Sequence, residues 1–164
     1  MVIIKKLTLK YFLLLFCCTF LFCCNAIETF EINKTIPGHA WKSDVDVKGS
    51  FIVKDTVSKY DMYVLLRHTD AYKYNNIWLN IGLQYPGEKM EYKQVNLTLG
   101  NDRNGWEGTG MDDIWYVKKK LNKTPFSFQQ AGQYYFSISN IMRDDPLLHV
   151  MSVGLSVQKS AFVE

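Results

Sequence analysis

The sequence predicts an all-β chain: an antiparallel β-sandwich, jelly-roll-like, of about eight or nine strands behind an N-terminal lipoprotein signal peptide. Three observations carry this. Short runs alternate apolar and polar side chains with period 2. Gly, Pro, Asn and Asp punctuate those runs at short intervals. Aromatic residues make up 15% of the chain, and they suit pleated, half-buried surfaces. The alternation is one-sided, which argues against a parallel sheet covered on both faces. No 3.6-residue pattern persists long enough for a long helix.

The leader comes first. Lys5, Lys6 and Lys10 precede an apolar run from Tyr11 to Cys24 that only Thr19 interrupts. A basic start and a short apolar stretch make an export signal. A membrane span needs roughly 20 apolar residues, more than this run supplies. All four cysteines lie here, at 17, 18, 23 and 24, so the exported domain has none for a disulfide. Leu21-Phe22-Cys23-Cys24 is similar to a lipobox, which makes Cys24 the expected lipidation site. Acyl chains contribute about 0.8 kcal/mol per buried CH₂, so several of them on Cys24 would hold the protein on a membrane. The expected organisation is a signal peptide over 1–23, a lipidated anchor and short linker over 24–28, and one sandwich domain over 29–164. No acidic run follows Cys24, which favours a periplasm-facing, lipid-anchored protein of the cell envelope.

The strands follow in order. Thr29 to Ile36 alternates and stops at Pro37-Gly38. Trp41 is expected to plug one end of the core. Ser50 to Lys54 is a second strand, and Asp55-Thr56-Val57 reads as a turn. Tyr60, Met62, Val64, Leu66 and His68 alternate, as do Ile77, Leu79, Ile81 and Leu83, with a polar, tyrosine-bearing connection between them. This pair reads as hairpin-like, with a decorated end. Glu91 to Leu99 and Asp113 to Lys119 are further strands, and Pro125 to Phe128 is a short apolar piece. Gln133 to Ser139 is a strong strand. Ile141 to Leu148 is irregular, with room for one helical turn before Pro146. Val150 to Lys159 closes the chain, with Met151, Val153, Leu155 and Val157 inward.

Charge and motifs narrow the function. Three of the 19 basic residues lie in the leader, which leaves 16 against 16 acidic residues, so the exported domain is neutral. Nucleic-acid binding rests on clustered positive charge and is not expected. There is no G-x-S-x-G nucleophile turn, no H-E-x-x-H and no Cys/His zinc spacing. The three histidines, His39, His68 and His149, are isolated in sequence. No enzyme activity, metal or cofactor is therefore expected. The carboxylate pairs Asp112-Asp113 and Asp144-Asp145 could serve a glycosidase only if two carboxyls stood about 5–10 Å apart across a cleft; turn duty is the plainer reading. Tyr72, Tyr74, Trp78, Trp106 and Trp115 could form a stacking platform for a glycan or could pack in the core. Arg67 could pair with an acid such as Asp144.

Several of these residues carry a resemblance. Leu66-Arg67-His68-Thr69, then Tyr72, Tyr74 and Ile77-Trp78-Leu79-Asn80, resembles the core motif of the gliding motility lipoprotein GldH family of Bacteroidota. Val95-Asn96-Leu97, Gly110 with Asp113-Ile114-Trp115, Met142-Arg143-Asp144 with Pro146-Leu147, and Val153-Gly154-Leu155 follow in the family's order. One departure is Asp70, where a family variant has Asn. The resemblance implies a non-catalytic envelope lipoprotein needed for gliding, with other gliding or type IX secretion lipoproteins as partners. It supplies no established binding residues. The candidate contact residues are thus Arg67, His68, Asp70, Tyr72, Tyr74, Trp78, Asp113, Trp115, Arg143 and Asp144. The sequons at Asn33, Asn96 and Asn122 carry no weight in such a lineage.

Overall fold

The computed structural model describes residues 29–160; the signal peptide and the Cys24 anchor lie outside the described residues. Thirteen strands occur among them, more than the eight or nine expected, because several are only two or three residues long. In chain order they are β1 Thr29–Thr35, β2 Ala40–Trp41, β3 Val47–Val53, β4 Tyr60–Thr69, β5 Asn76–Gln84, β6 Glu91–Thr98, β7 Gly100–Asn101, β8 Gly105–Trp106, β9 Thr109–Met111, β10 Ile114–Lys120, β11 Gly132–Asn140, β12 Leu147–Leu148 and β13 Val150–Lys159.

The long strands form two antiparallel sheets, β1-β13-β4-β10-β9 and β3-β11-β5-β6. With the eight longest strands numbered along the chain, the sheets read first-eighth-third-sixth and second-seventh-fourth-fifth. That interleaving is a jelly roll. The pairs β12-β2 and β7-β8 are separate short ribbons.

Alternation sets the two inner faces. Met62, Val64 and Leu66 of β4 and Val153, Leu155 and Val157 of β13 face Ile77, Leu79 and Ile81 of β5 and Phe136 and Ile138 of β11, all within one buried cluster. Aromatic rings fill the core beside Phe51: Tyr134 stacks on it with centroids 5.4 Å apart, and Phe128 meets Tyr134 edge-on at 4.8 Å. Trp41 is fully buried, as its plug role requires. Its indole N–H donates to the Val45 carbonyl at 2.7 Å, and its own carbonyl accepts from Asn140 Nδ2 at 3.1 Å. The Asp55 turn is also as read, since its carboxylate accepts from the backbone N–H of Val57 and Ser58.

Three expectations are corrected. The β4–β5 pair is not a hairpin. β4 pairs with β13 and β10, whereas β5 pairs with β11 and β6, so the connection 70–75 arches between the sheets. Met151 does not face inward with Val153. The register shifts between Val150 and Ser152, and this bulge takes Met151 out of the alternation. The segment before Pro146 makes no helical turn; Leu147–Leu148 instead pairs with β2.

Candidate functional site

The arch 70–75 and the segment 143–149 close one end of the sandwich. Between them lies a cleft of about 660 Å³ lined by Tyr72, Lys73, Tyr74, Arg143, Asp144 and Asp145, among others. Lys73 Nζ lies 3.4 Å from an Asp144 carboxylate oxygen and 5.3 Å from the Tyr74 ring centroid. A hydrogen bond from Tyr74, seconded by one from Lys73, holds the Asp144 carboxyl below its ordinary range. Asp145 accepts from the Ser43 amide at 3.0 Å and the Ser43 hydroxyl at 2.6 Å. These two bonds likewise hold its carboxyl down.

Beneath the cleft the family-like motif turns inward. His68 is 0% exposed and Tyr72 only 3%, so neither offers a surface to a partner. Tyr72 was a surface candidate because it sits among polar neighbours. In the structure its ring packs under Tyr74 and its hydroxyl donates to the Asn76 carbonyl at 3.1 Å. Burial pushes the Tyr72 phenol up, with Tyr74 and Asp144 adding to it. His68 is wedged between Trp106, at 4.6 Å, and Tyr72, at 5.4 Å. Its Nδ1 bonds the Thr69 carbonyl at 2.8 Å, so Nδ1 carries the proton. Nε2 is buried without a partner among the described residues.

The other candidates disperse. Arg67 points to the outer face of its sheet, opposite in direction to His68, and makes no pair with Asp144. Asp70 and Asp113 meet through the backbone, Asp70 N–H donating to Asp113 O at 2.8 Å. Trp115 lies in register with His68, and its ring covers Gly110 closely enough that a Cβ there would sit 2.9 Å from it. Trp78 is 42% exposed on the outer face of the other sheet. Tyr72, Tyr74, Arg143 and Asp144 therefore share one cleft, while the remaining six candidates stand elsewhere. Lys73 and Asp145, which sequence offered only as part of a polar connection and of a carboxylate pair, also line that cleft, and Ser43, which sequence did not single out, holds Asp145. Their partners are 71 and 102 residues distant, and no short motif records such pairs.

A family model described as GldH lipoprotein matches residues 28–157. The chain belongs to the GldH lipoprotein family. Similar curated proteins include a gliding motility lipoprotein GldH homolog of Christiangramia forsetii, 24% identical over 149 residues and covering 84% of this chain and 87% of that protein. The gliding motility lipoprotein GldH of Flavobacterium johnsoniae is 27% identical over 132 residues, covering 80% of each. Among solved structures, the infectious bursal disease virus VP2 subviral particle aligns with a TM-score of 0.35 and 12% identity, over 82% of this chain and 33% of that one. At that score the jelly roll rests on strand order and not on the likeness. In this GldH family member the motif Leu66-Arg67-His68-Thr69 divides by face: Leu66 and His68 pack inside, and Arg67 stands outside.

The buried imidazole has a measurable consequence. Burial lowers the His68 pKa, and the bond to Thr69 only partly opposes this. The unfolded chain, near 6.5, therefore takes the proton first, and stability falls as pH drops below about 6.5. We expect a loss of stability between pH 7 and 5, capped at about 2 kcal/mol by the unfolded pKa, that is absent in His68→Phe, read by urea unfolding at each pH. Equal pH slopes in the two proteins would contradict this.

Proposed function

We propose that the protein serves gliding motility as a lipid-anchored, non-catalytic assembly or stabilising component of the gliding and type IX secretion apparatus. It acts through protein–protein contacts made at the cleft end of the sandwich. The observation that carries this reading is the convergence of Lys73, Tyr74, Arg143 and Asp144 on one solvent-open cleft. Family membership and the printed names of its relatives supply the motility context. The cleft acids are engaged: Asp144 by Lys73 and Tyr74, and Asp145 by Ser43. Both carboxyls are held down, the reverse of a general acid's tuning. Orientation agrees. A lipidated Cys24 would stand five residues before β1, within about 18 Å of it. Because Thr35, at the end of β1, pairs with Ser152 near Thr69, the cleft end lies about 20 Å beyond the start of β1.

A second reading, recognition of an envelope glycan, has its own support. Strands β5 and β11 carry no charged residue, and Trp78, Tyr92 and Tyr135 are exposed at 42%, 56% and 44% on that sheet. Amides and aromatic rings without charge suit a neutral sugar.

Complementation of a clean deletion separates the readings. Colony spreading should stop in the deletion and return with the unaltered chain. It should stay largely lost with Lys73→Glu plus Arg143→Glu at normal protein level, and return with Trp78→Ala plus Tyr92→Ala. Failure of the Trp78/Tyr92 variant alone favours the glycan; full spreading of the deletion strain sinks both readings.

A further inference from the structure

On the outer face of the first sheet, four strands place side chains in one cross-strand row. Tyr116 of β10 pairs with Arg67 of β4, Arg67 with Ser152 of β13, and Ser152 with Thr35 of β1. Asn33 is the next outward residue of β1. After β1 the chain turns back through Gly38 and His39, whose φ values of 60° and 55° are left-handed. Asn33, Thr35, His39, Arg67, Met151 and Ser152 then line a recess of about 250 Å³.

Two features of this recess point to a ligand. Ser152 is 8% exposed, yet its Oγ has no hydrogen-bond partner among the described residues. A buried hydroxyl left unpaired is costly, and a native structure tends to give it a partner. Arg67 is exposed and has neither ion pair nor hydrogen bond among the described residues. The recess holds no carboxylate that could occupy its guanidinium. Glu31, the acid on β1, stands level with Ser156, four residues along β13 from Ser152; its charge and that of Arg67 both reach the Tyr116 phenol, but the two form no ion pair. Each polar side chain of the recess can donate: the guanidinium fork, two hydroxyls, an amide and an imidazole.

We propose that this recess is an oxyanion site, taking a phosphate or carboxylate group against Arg67 and Ser152. The guanidinium supplies the charge and a two-pronged contact. The Ser152 hydroxyl supplies the buried donor, and Thr35, Asn33 and His39 close the rim. The bulge at Met151 is what sets Ser152, rather than its neighbour, in line with Arg67 and Thr35. The site is separate from the cleft and does not rest on the motility reading.

The test is calorimetric titration of the full-length chain in detergent, at low ionic strength, with inorganic phosphate in one arm and acetate in the other. Saturable binding in either arm, weakened at least tenfold by Arg67→Gln and several-fold by Ser152→Ala, supports the site, and the tighter arm names the group. Arg67→Lys keeps the charge without the fork and should fall between Arg67→Gln and the unaltered chain. Lys48→Gln, on the other sheet, should change nothing. Circular dichroism confirms that each variant is folded; Arg67 is exposed, so its variants keep the core. No saturable heat up to tens of millimolar in both arms, or binding undiminished in Arg67→Gln, overturns the proposal.

Discussion

Asn122→Ala is expected to destabilise the domain by about 3 kcal/mol, although the residue lies just outside every strand. β10 ends at Lys120, and Leu121 N–H still reaches the Met62 carbonyl at 2.8 Å. The Asn122 side chain then carries the ladder one step further. Its Oδ1 accepts from Met62 N–H at 2.7 Å, and its Nδ2 donates to Asp61 Oδ1 and to the Thr124 carbonyl, both at 2.9 Å. Met62 and Asp61 are both buried, so truncation strands a backbone donor and removes a partner from a buried carboxylate. Burial pushes the Asp61 carboxyl up, but Lys120, Asn122 and Ser160 together outweigh it and hold the carboxyl down. Thermal unfolding should show a fall of roughly 10 °C, given about 3 °C per kcal/mol at this size. Asn122→Asp keeps the acceptor for Met62 but sets a carboxylate against Asp61. Its deficit should shrink as pH falls and the new acid protonates. An Asn122→Ala variant within about 0.5 kcal/mol of the parent would show that water replaces the side chain freely.

Gly154→Ala should cost about 3 kcal/mol for the opposite reason, by adding one carbon. A Cβ on Gly154 would lie 2.0 Å from the Ile32 carbonyl oxygen and 2.8 Å from Asn33 Cα. These are backbone atoms of β1, and no rotamer change moves them aside. The strand must shift, and Phe30, whose ring sits 5.0 Å from that of Phe51, shifts with it. Hydrogen exchange should then lose protection across β1 while β5 and β11 keep theirs. Uniform loss, or none, would show that the strain is not confined to the β1–β13 seam.

Much of the sandwich was legible in the sequence because period-2 alternation reports which face a side chain takes. The last strand has the bounds read for it, Val150–Lys159, and Trp41 fills the core end assigned to it. Alternation does not say which strand lies alongside, and so β4 and β5 looked like a hairpin although they belong to different sheets. A one-residue bulge is equally silent, and Met151 was read on the wrong side of it. His68 and Tyr72 misled for another reason. Their residue types and polar neighbours suit a surface, yet Trp106, arriving from a segment more than thirty positions later, covers both rings. The cleft was half legible: the residues with distinctive chemistry were noticed, but the pairings that shape it join distant parts of the chain.

The seam between β1 and β13 also has a mechanical meaning. Seven residues of β1, Thr29 to Thr35, pair with Gln158 back to Ser152, and the hydrogen bonds run perpendicular to the strands. A pull applied ahead of Thr29 and resisted at the far end of the sandwich acts along β1. It shears the whole ladder at once and does not peel its bonds one at a time. A pull across the sheet would unzip the same seam from its end. A domain tethered through β1 is therefore stiffest to tension directed away from its tether and weakest to sideways tearing.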